Sequence, residues 1–217
     1  MRIKKFLHSC LLLEKDGKRL LIDPGAFSFI EGKLKPEDIG PVDAIFITHK
    51  HLDHFDPSVL KKFVSFGSAK IYTIEEIGQL LKAAGLSYER IQPRDEFLLN
   101  GFRVKVYSAP HGRLPIPVPD NIAIKIDNLL HPGDSFAADV FEHCDLLALP
   151  IAGPWATLND GMAMTARLKP KIVIPIHDAI IKDFMLSRMY DVMLKPALAE
   201  ANIDFRVLAL NEEIQLE

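Results

Sequence analysis

Apolar and polar residues along the chain are spaced either as in a strand or as in a helix, and the spacing differs from one segment to the next. KRLLID and FRVKVYSA are short and rich in β-type residues, which predicts strands, whereas IEEIGQLLKAAG repeats its apolar residues at helical spacing. The runs AIFI and DLLALP are apolar without interruption, as is typical of strands buried on both faces. Strands and helices therefore alternate along most of the chain.

Turn residues set the boundaries of these elements. Asp16-Gly17 and Asn100-Gly101 supply the positive φ angles of tight turns, so we predict a hairpin of KKFLHSCLLLE with KRLLID and another of FLLN with FRVKVYSA. Asp56-Pro57 provides an N-cap and a first-turn proline for the helix SVLKKFVSF, which Gly67 ends. FRVLAL and IQLE are expected to form a closing hairpin.

The elements fall into two comparable halves, each of which starts with antiparallel strands and acquires helices later. This order favours an α/β fold with two sheets and helices outside them. The chain has no low-complexity segment and no long linker, and 217 residues suit one sizeable core. We therefore expect a single domain over residues 1–217.

Composition narrows the functional classes. Lys and Arg number 26 against 29 Asp and Glu, so the chain lacks the basic surplus that nucleic-acid binding requires. No apolar run approaches the roughly 18 residues of a membrane span, and the start of the chain lacks the cleavage site of a secretion signal. Two isolated cysteines, Cys10 and Cys144, fit a reducing compartment. We expect a cytoplasmic protein that acts on a small molecule, without nucleic-acid or membrane partners; its oligomeric state stays open, a homo-oligomer included.

The stretch THKHLDHFDP, residues 48–57, places many metal-binding side chains directly after a buried strand. In an extended segment His49, His51 and Asp53 share one face, and a turn brings in His54. A surface loop that merely caps the next helix is the weaker interpretation, because chance loops rarely contain H-x-H-x-D-H. Neutral imidazole and carboxylate suit zinc, iron or manganese better than calcium or magnesium. These four residues can serve two adjacent cations.

THKHLDH resembles the signature of the metallo-β-lactamase superfamily, and four further motifs follow that family's order. They are Asp23 in LLIDPG, His111 in SAPHG, Asp134 in HPGDS and His177 in VIPIHD. Together with HSCLLLEKDGKRLLIDPG and LPIAGP, they are similar to the branch of L-ascorbate 6-phosphate lactonase-like proteins. That branch is itself similar to phosphodiesterases acting on N-acyl phosphatidylethanolamines.

The resemblance implies a four-layer αβ/βα sandwich with the site at the rim between the two sheets. It assigns one metal to His49, His51 and His111, the other to Asp53, His54 and His177, and the bridging position to Asp134. Asp23 would support the histidine-rich loop from behind, because metal ligands depend on such partners for their orientation. Two divalent cations are therefore expected, with zinc as the first choice and manganese or iron as alternatives.

Hydrolysis is the chemistry that the resemblance implies. A hydroxide bridging the two cations would attack an ester-type bond, with a lactone or a phosphoester as the favoured substrate. Asp53 would also have a second, catalytic role, in which it orients the nucleophile or passes a proton to the leaving group. The alternatives are a non-enzymatic regulatory protein that binds metal or another ligand, and a metal-dependent nuclease.

Three further residues are candidates for the substrate pocket. Arg113 lies in the proline-stiffened loop 112–121, which we consider as a lid, and its guanidinium suits an anionic substrate group. An exposed connection with a solvated arginine is the alternative. Trp155 either forms the floor of the pocket or packs in the core. His8 either reaches the site from the first strand or is a packed, hydrogen-bonded strand residue.

Overall fold

The computed structural model describes residues 1–210 and 212–216, and within them two seven-stranded sheets form. The first sheet contains, in spatial order, β14 (Ile214–Gln215), β1 (Arg2–Lys5), β2 (Leu11–Lys15), β3 (Lys18–Ile22), β4 (Ala44–Phe46), β5 (Lys70–Thr73) and β6 (Glu89–Arg90). The second contains β13 (Asp204–Phe205), β12 (Ile172–Ile176), β11 (Leu146–Pro150), β10 (Leu129–His131), β9 (Ile122–Ile126), β8 (Phe102–Ser108) and β7 (Glu96–Leu99).

Helices connect the parallel strands of each sheet. They are α1 (Pro36–Ile39), α2 (Pro57–Ser65), α3 (Glu75–Ala83), α4 (Leu158–Leu168), α5 (Asp183–Arg188) and α6 (Lys195–Glu200). A 3₁₀ segment spans Ala26–Gly32, and a wider π turn over Met189–Leu194 joins α5 to α6. The predicted start of α2 is confirmed, because the Asp56 carboxylate accepts a hydrogen bond of 2.8 Å from the Ser58 amide and Pro57 opens the first turn. In the described part of the chain, no helix is long and apolar enough to cross a membrane.

Both sheets begin with antiparallel strands and continue with parallel ones. In the first, β1 to β3 form an antiparallel meander before the parallel strands β4, β5 and β6. In the second, β7 to β10 are antiparallel, and β11, β12 and β13 run parallel beside β10. The two similar halves, with helices flanking their sheets, confirm the predicted α/β sandwich.

The uninterrupted apolar run of β11 faces two cores at once. Leu146 and Ala148 belong to the cluster that the two sheets share, whereas Leu147 and Leu149 belong to a second cluster that includes Met164 of α4. Successive strand residues point to opposite faces, so every position of a strand between two apolar layers has to be apolar. The layers are thus helices, sheet, sheet, helices.

Two sequence expectations are wrong in detail. The segment KKFLHSCLLLE is not one strand, because a turn closed by a 2.9 Å bond from the Phe6 amide to the Cys10 carbonyl separates β1 from β2. The closing hairpin does not form either: β13 pairs with β12 in the second sheet and β14 with β1 in the first. Ile214 is 1% exposed beside β1, and burial in the shared core outweighs local pairing. Asn211, in the expected turn, lies outside the described residues.

Candidate metal centre

The proposed ligands follow the carboxyl ends of strands from both sheets. Residues 48–54 follow β4 in the first sheet, whereas His111, Asp134 and His177 follow β8, β10 and β12 in the second. Side chains at such strand ends converge at the edge that the sheets share. The structure brings all seven sequence-predicted ligand residues together there.

Two groups of donor atoms form, within each of which the atoms lie no more than 4.8 Å apart. They comprise His49, His51, His111 and Asp134 in one, and His8, Asp53, His54 and His177 in the other. In the first group His51 Nδ1 lies 3.2 Å from His111 Nε2, and His111 Nε2 lies 3.5 Å from Asp134 Oδ2. In the second, His177 Nε2 lies 3.2 Å from Asp53 Oδ2.

Asp134 links the two groups. Its Oδ2 lies 3.6 Å from His49 Nε2 in the first group and 3.2 Å from His177 Nε2 in the second, and its Oδ1 lies 3.0 Å from His54 Nε2. One carboxylate thus faces imidazoles of both groups, which is the arrangement expected of a bridging ligand.

Buried atoms without partners show that the residues fit cations. His49 Nε2, His54 Nε2 and His177 Nε2 are buried and have no hydrogen-bond partner among the described residues, and the same holds for Asp134 Oδ1. Buried polar atoms are nearly always satisfied, and four converging exceptions call for a group that accepts lone pairs. Divalent cations such as zinc, manganese or iron meet that need with imidazole and carboxylate donors.

The protonation states suit the same interpretation. Burial, with repulsion from His54, keeps the pKa of His49 well below its ordinary value, so this imidazole is neutral and free to donate a lone pair. Burial opposes ionisation of Asp134, but His54, His111 and His177 outweigh it and hold the pKa of the carboxyl well below its usual range. At His54 burial lowers the pKa, but the carboxylates of Asp134 and Asp23 outweigh it and raise the pKa well above its ordinary value. A cation at this group would replace the His54 proton.

Asp23 supports a ligand of each group, as the family resemblance implies. Its Oδ2 accepts a 2.7 Å bond from His54 Nδ1 and a 2.6 Å bond from the Thr48 hydroxyl. Thr48 Oγ1 in turn lies 3.1 Å from His49 Nδ1, which donates to it. His49 and His54 thereby present Nε2 to the site, each in the tautomer that metal ligation requires.

Sequence reasoning missed several residues that hold the ligand loops. Asn121 accepts a 3.1 Å bond from the Asp134 amide and donates to the Ala109 and Pro132 carbonyls at 2.7 and 3.1 Å. A Cβ on Gly25 would lie 2.1 Å from the Asp53 carbonyl carbon, so only glycine admits the loop 48–54 at this distance. The one available signal was a glycine directly after the Asp-Pro pair of LLIDPG, and Asn121 carried none.

The three pocket candidates occupy different places. The indole of Trp155 lies against the imidazoles of His111 and His177, with ring centroids 5.6 and 5.7 Å apart. Arg113 is exposed and has neither an ion pair nor a hydrogen bond with any residue that the structure describes. His8 reaches the site, where its Nε2 lies 2.9 Å from Asp53 Oδ2, but it is 0% exposed, and its role as a pocket residue stays a prediction. The loop 112–121 has no regular secondary structure, and its role as a lid stays a prediction.

Two sheets flanked by helices, with apposed histidine and aspartate groups at the rim between them, are the arrangement of the metallo-β-lactamase fold. Its family and its curated relatives make the protein a metal-dependent hydrolase. The chain belongs to the β-lactamase superfamily, since residues 2–177 match the family model described as a Beta-lactamase superfamily domain. The narrower similarity to the lactonase-like branch stays a prediction.

Curated relatives match this chain over most of its length. Protein Rv0786c of Mycobacterium tuberculosis is 32% identical over 83% of this chain and 85% of its own length. The UPF0173 metal-dependent hydrolase of Opitutus terrae is 28% identical over 82% of this chain and 84% of its own. Among solved structures, the metallo hydrolase Igni18 of Ignicoccus hospitalis superposes with a TM-score of 0.71 at 21% identity, covering 100% of this chain and 98% of its own. At that identity the likeness concerns the fold.

Proposed function

We propose that this protein hydrolyses an ester-type bond, in a lactone or a phosphoester, with two divalent cations held by the two donor groups. The observation that supports this most is the position of Asp134. Its Oδ2 faces His49 of the first group and His177 of the second, and its Oδ1 faces His54 of the second. A carboxylate shared in this way suits a pair of adjacent cations better than a single structural ion. Zinc is the first choice, with manganese and iron as alternatives.

When bound, such cations supply Lewis-acid polarisation of a substrate oxygen and activation of a water molecule. The chain's own residues prepare the place for that chemistry. His51 is half-buried, the Asp53 side chain is 16% exposed and Leu52 between them is 59% exposed, so substrate has access from this side. Trp155 covers His111 and His177 and provides an apolar wall that excludes water from them.

Two side chains are suited to act on the substrate itself. Asp53 lies at the open side, and its carboxylate can take a proton from the nucleophile or pass one to the leaving group. Arg113, two residues beyond His111, offers a planar pair of donors to a carboxylate or phosphate group. We therefore expect the substrate to be an anionic lactone or phosphoester.

The test combines metal analysis of the purified protein with hydrolysis assays on lactones, phosphodiesters, phosphomonoesters and thioesters. We expect two cations per chain and turnover in at least one of the first three classes. Asp134→Asn should lower kcat/KM by at least about 100-fold, because it removes a donor common to both groups. Arg113→Ala should raise KM for anionic substrates and leave neutral ones unaffected.

Two outcomes would contradict the proposal. Full activity in Asp134→Asn would exclude the site from the reaction. Two tightly bound cations without turnover on any substrate class would instead favour a regulatory protein that binds metal.

A further inference from the structure

His8 belongs to the second donor group by position, although the metals implied by the fold do not require it. The residue lies in the turn between β1 and β2, with φ at 59°, in the left-handed region that non-glycine residues seldom adopt. Its ring is fully buried, 5.3 Å from Phe27 and 4.1 Å from His177 between ring centroids. Such a conformation persists only where the surroundings enforce it, often at functional sites.

His8 holds two proposed ligands from different halves of the fold. Its Nε2 lies 2.9 Å from Asp53 Oδ2, and its backbone carbonyl accepts a 3.2 Å bond from the His177 amide. Strand β1, which leads into this turn, is held nearby. Its last residue, Lys5, places Nζ 2.8 Å from Oδ2 of Asp178, which is next in sequence to His177. The turn thus ties the histidine-rich loop of the first half to the end of β12 in the second.

The distance at His8 matches a hydrogen bond. Donor atoms of a tetrahedral zinc site, each about 2.0–2.2 Å from the ion, lie about 3.3–3.6 Å apart. His177 Nε2 and Asp53 Oδ2, at 3.2 Å, come close to that spacing. His8 Nε2 and Asp53 Oδ2, at 2.9 Å, have the usual separation of an N–H donor and an oxygen acceptor.

The number of donors leads to the same conclusion. With His8 as a ligand, the second group and Asp134 would offer five protein donors, and a catalytic cation needs an open position. Ligation through Nε2 would also leave a proton on Nδ1, which is buried and has no partner in the described chain. His177 Nδ1 shares that property, so the donor count is the stronger argument.

We propose that His8 is a positioning residue of the second donor group, which holds Asp53 through its Nε2–H and His177 through its carbonyl, and that it is not a cation ligand. The proposal rests on the proposed function only in taking the two groups as cation sites. The role of His8 is to hold Asp53 on the open side of the site, where the loop is exposed to solvent at Leu52.

Imidazole ¹⁵N NMR and zinc titration together test this role. In both metal-free and zinc-loaded protein, His8 Nε2 should keep its proton. His8→Asn suits the left-handed backbone but is too short to reach Asp53, so one of the two zinc affinities should fall about 10–100-fold while the other is unchanged. His8→Gln places an N–H near the position of Nε2 and should restore most of the loss. His143→Asn, at an exposed histidine outside both groups, is the matched control.

Each result decides the matter. Loss of the Nε2 proton on zinc loading would make His8 a ligand, and wild-type zinc affinities in His8→Asn would remove its positioning role. If His8→Asn does not fold, the NMR spectra of the wild-type protein still decide between the two assignments. A wild-type protein that binds neither zinc nor manganese nor iron would overturn the proposed function, whereas the metal-free spectrum would still support or refute the bond to Asp53.

Discussion

At the scale of single residues, Asp23 cannot be replaced even by asparagine, its closest analogue, without loss of a hydrogen bond. Its Oδ1 accepts from the Thr48 amide, and its Oδ2 accepts from both the Thr48 hydroxyl and His54 Nδ1. An asparagine in either orientation would turn an NH₂ group toward one of these donors. The residue therefore acts as a pure acceptor that only an ionised carboxylate provides.

Asp23→Asn should accordingly weaken zinc binding about 10–100-fold, because His49 and His54 lose the partners that orient them. Competition with a coloured chelator measures the affinity. Asp56→Asn serves as the control, since asparagine caps a helix as well as aspartate does and α2 should be unaffected. Equal zinc affinities in the two variants would show that Asp23 does not orient the ligands.

Gly25→Ala should displace the histidine-rich loop, because the new Cβ would meet Asp53 carbonyl atoms at 2.1 Å and the His54 amide at 2.3 Å. These are backbone atoms, which cannot rotate away as a flexible side chain would. We expect a lower melting temperature and loss of zinc binding. Gly67→Ala, where the new Cβ would meet no atom of another residue beyond its chain neighbours within 4 Å, should be neutral or stabilising by about 0.4–1 kcal/mol. Similar melting temperatures for the two variants would contradict this account.

Residues of this kind mark the limit of sequence reasoning. The spacing of His49, His51, Asp53 and His54 carries its own chemistry, and the family resemblance supplied the remaining candidates, which the structure brings together. The burial of His8 and the closeness of Gly25 to Asp53 depend on contacts between segments tens of residues apart. No local period or turn signal encodes such contacts.

At the scale of elements, strands β8 and β9 place two like charges opposite each other. Lys105 and Lys125 are direct cross-strand partners, an arrangement that is unfavourable by itself. Glu142 lies within 3.0 Å of Lys105 Nζ and 2.8 Å of Lys125 Nζ, and it also bonds to the Tyr107 hydroxyl. Burial opposes ionisation of this carboxyl, but Lys125, Tyr107 and Lys105 prevail and lower its pKa to about 2.

This depressed pKa gives the stability of the pair a defined pH dependence. The carboxylate stabilises the folded protein above its ordinary pKa of 4.5, and the effect is lost as the pH falls toward 2. Glu142→Gln should lower the free energy of unfolding by about 1 kcal/mol at pH 7, since the side chain is 40% exposed and solvent screens the charges. Urea titrations at several pH values measure the difference, which should shrink between pH 4.5 and 2. A difference independent of pH would exclude the ion pairs as its origin.

The bounds of an element could be predicted where its own residues determine them, and less well where they depend on pairing with a strand distant in sequence. Asp56-Pro57 starts α2 and Asn100-Gly101 turns β7 into β8, as local chemistry dictates. The break after β1 and the separate pairing of β13 and β14 depend on which sheet edge is available. That availability is a property of the assembled molecule.

At the scale of the whole molecule, each half supplies an incomplete set of donors. Cations bound across the rim would favour the folded state over the unfolded chain, because the donors converge only when both sheets are in place. We expect zinc to raise the melting temperature and a chelator to lower it, with little effect of either on a variant that carries both His49→Ala and His54→Ala. Differential scanning fluorimetry over a zinc series measures the shift, and an unchanged melting temperature of the wild-type protein would contradict shared binding.

The division of the donors between the halves also makes the site a sensor of association. The histidine-rich loop lies in the first sheet's half, and His111, Asp134 and His177 lie in the second, with the exposed residues 92–94 between β6 and β7. Two fragments separated there and produced as individual polypeptides would each lack part of every donor group. Zinc capture would then report their reassembly, which makes the rim between the sheets a natural basis for a two-piece complementation reporter.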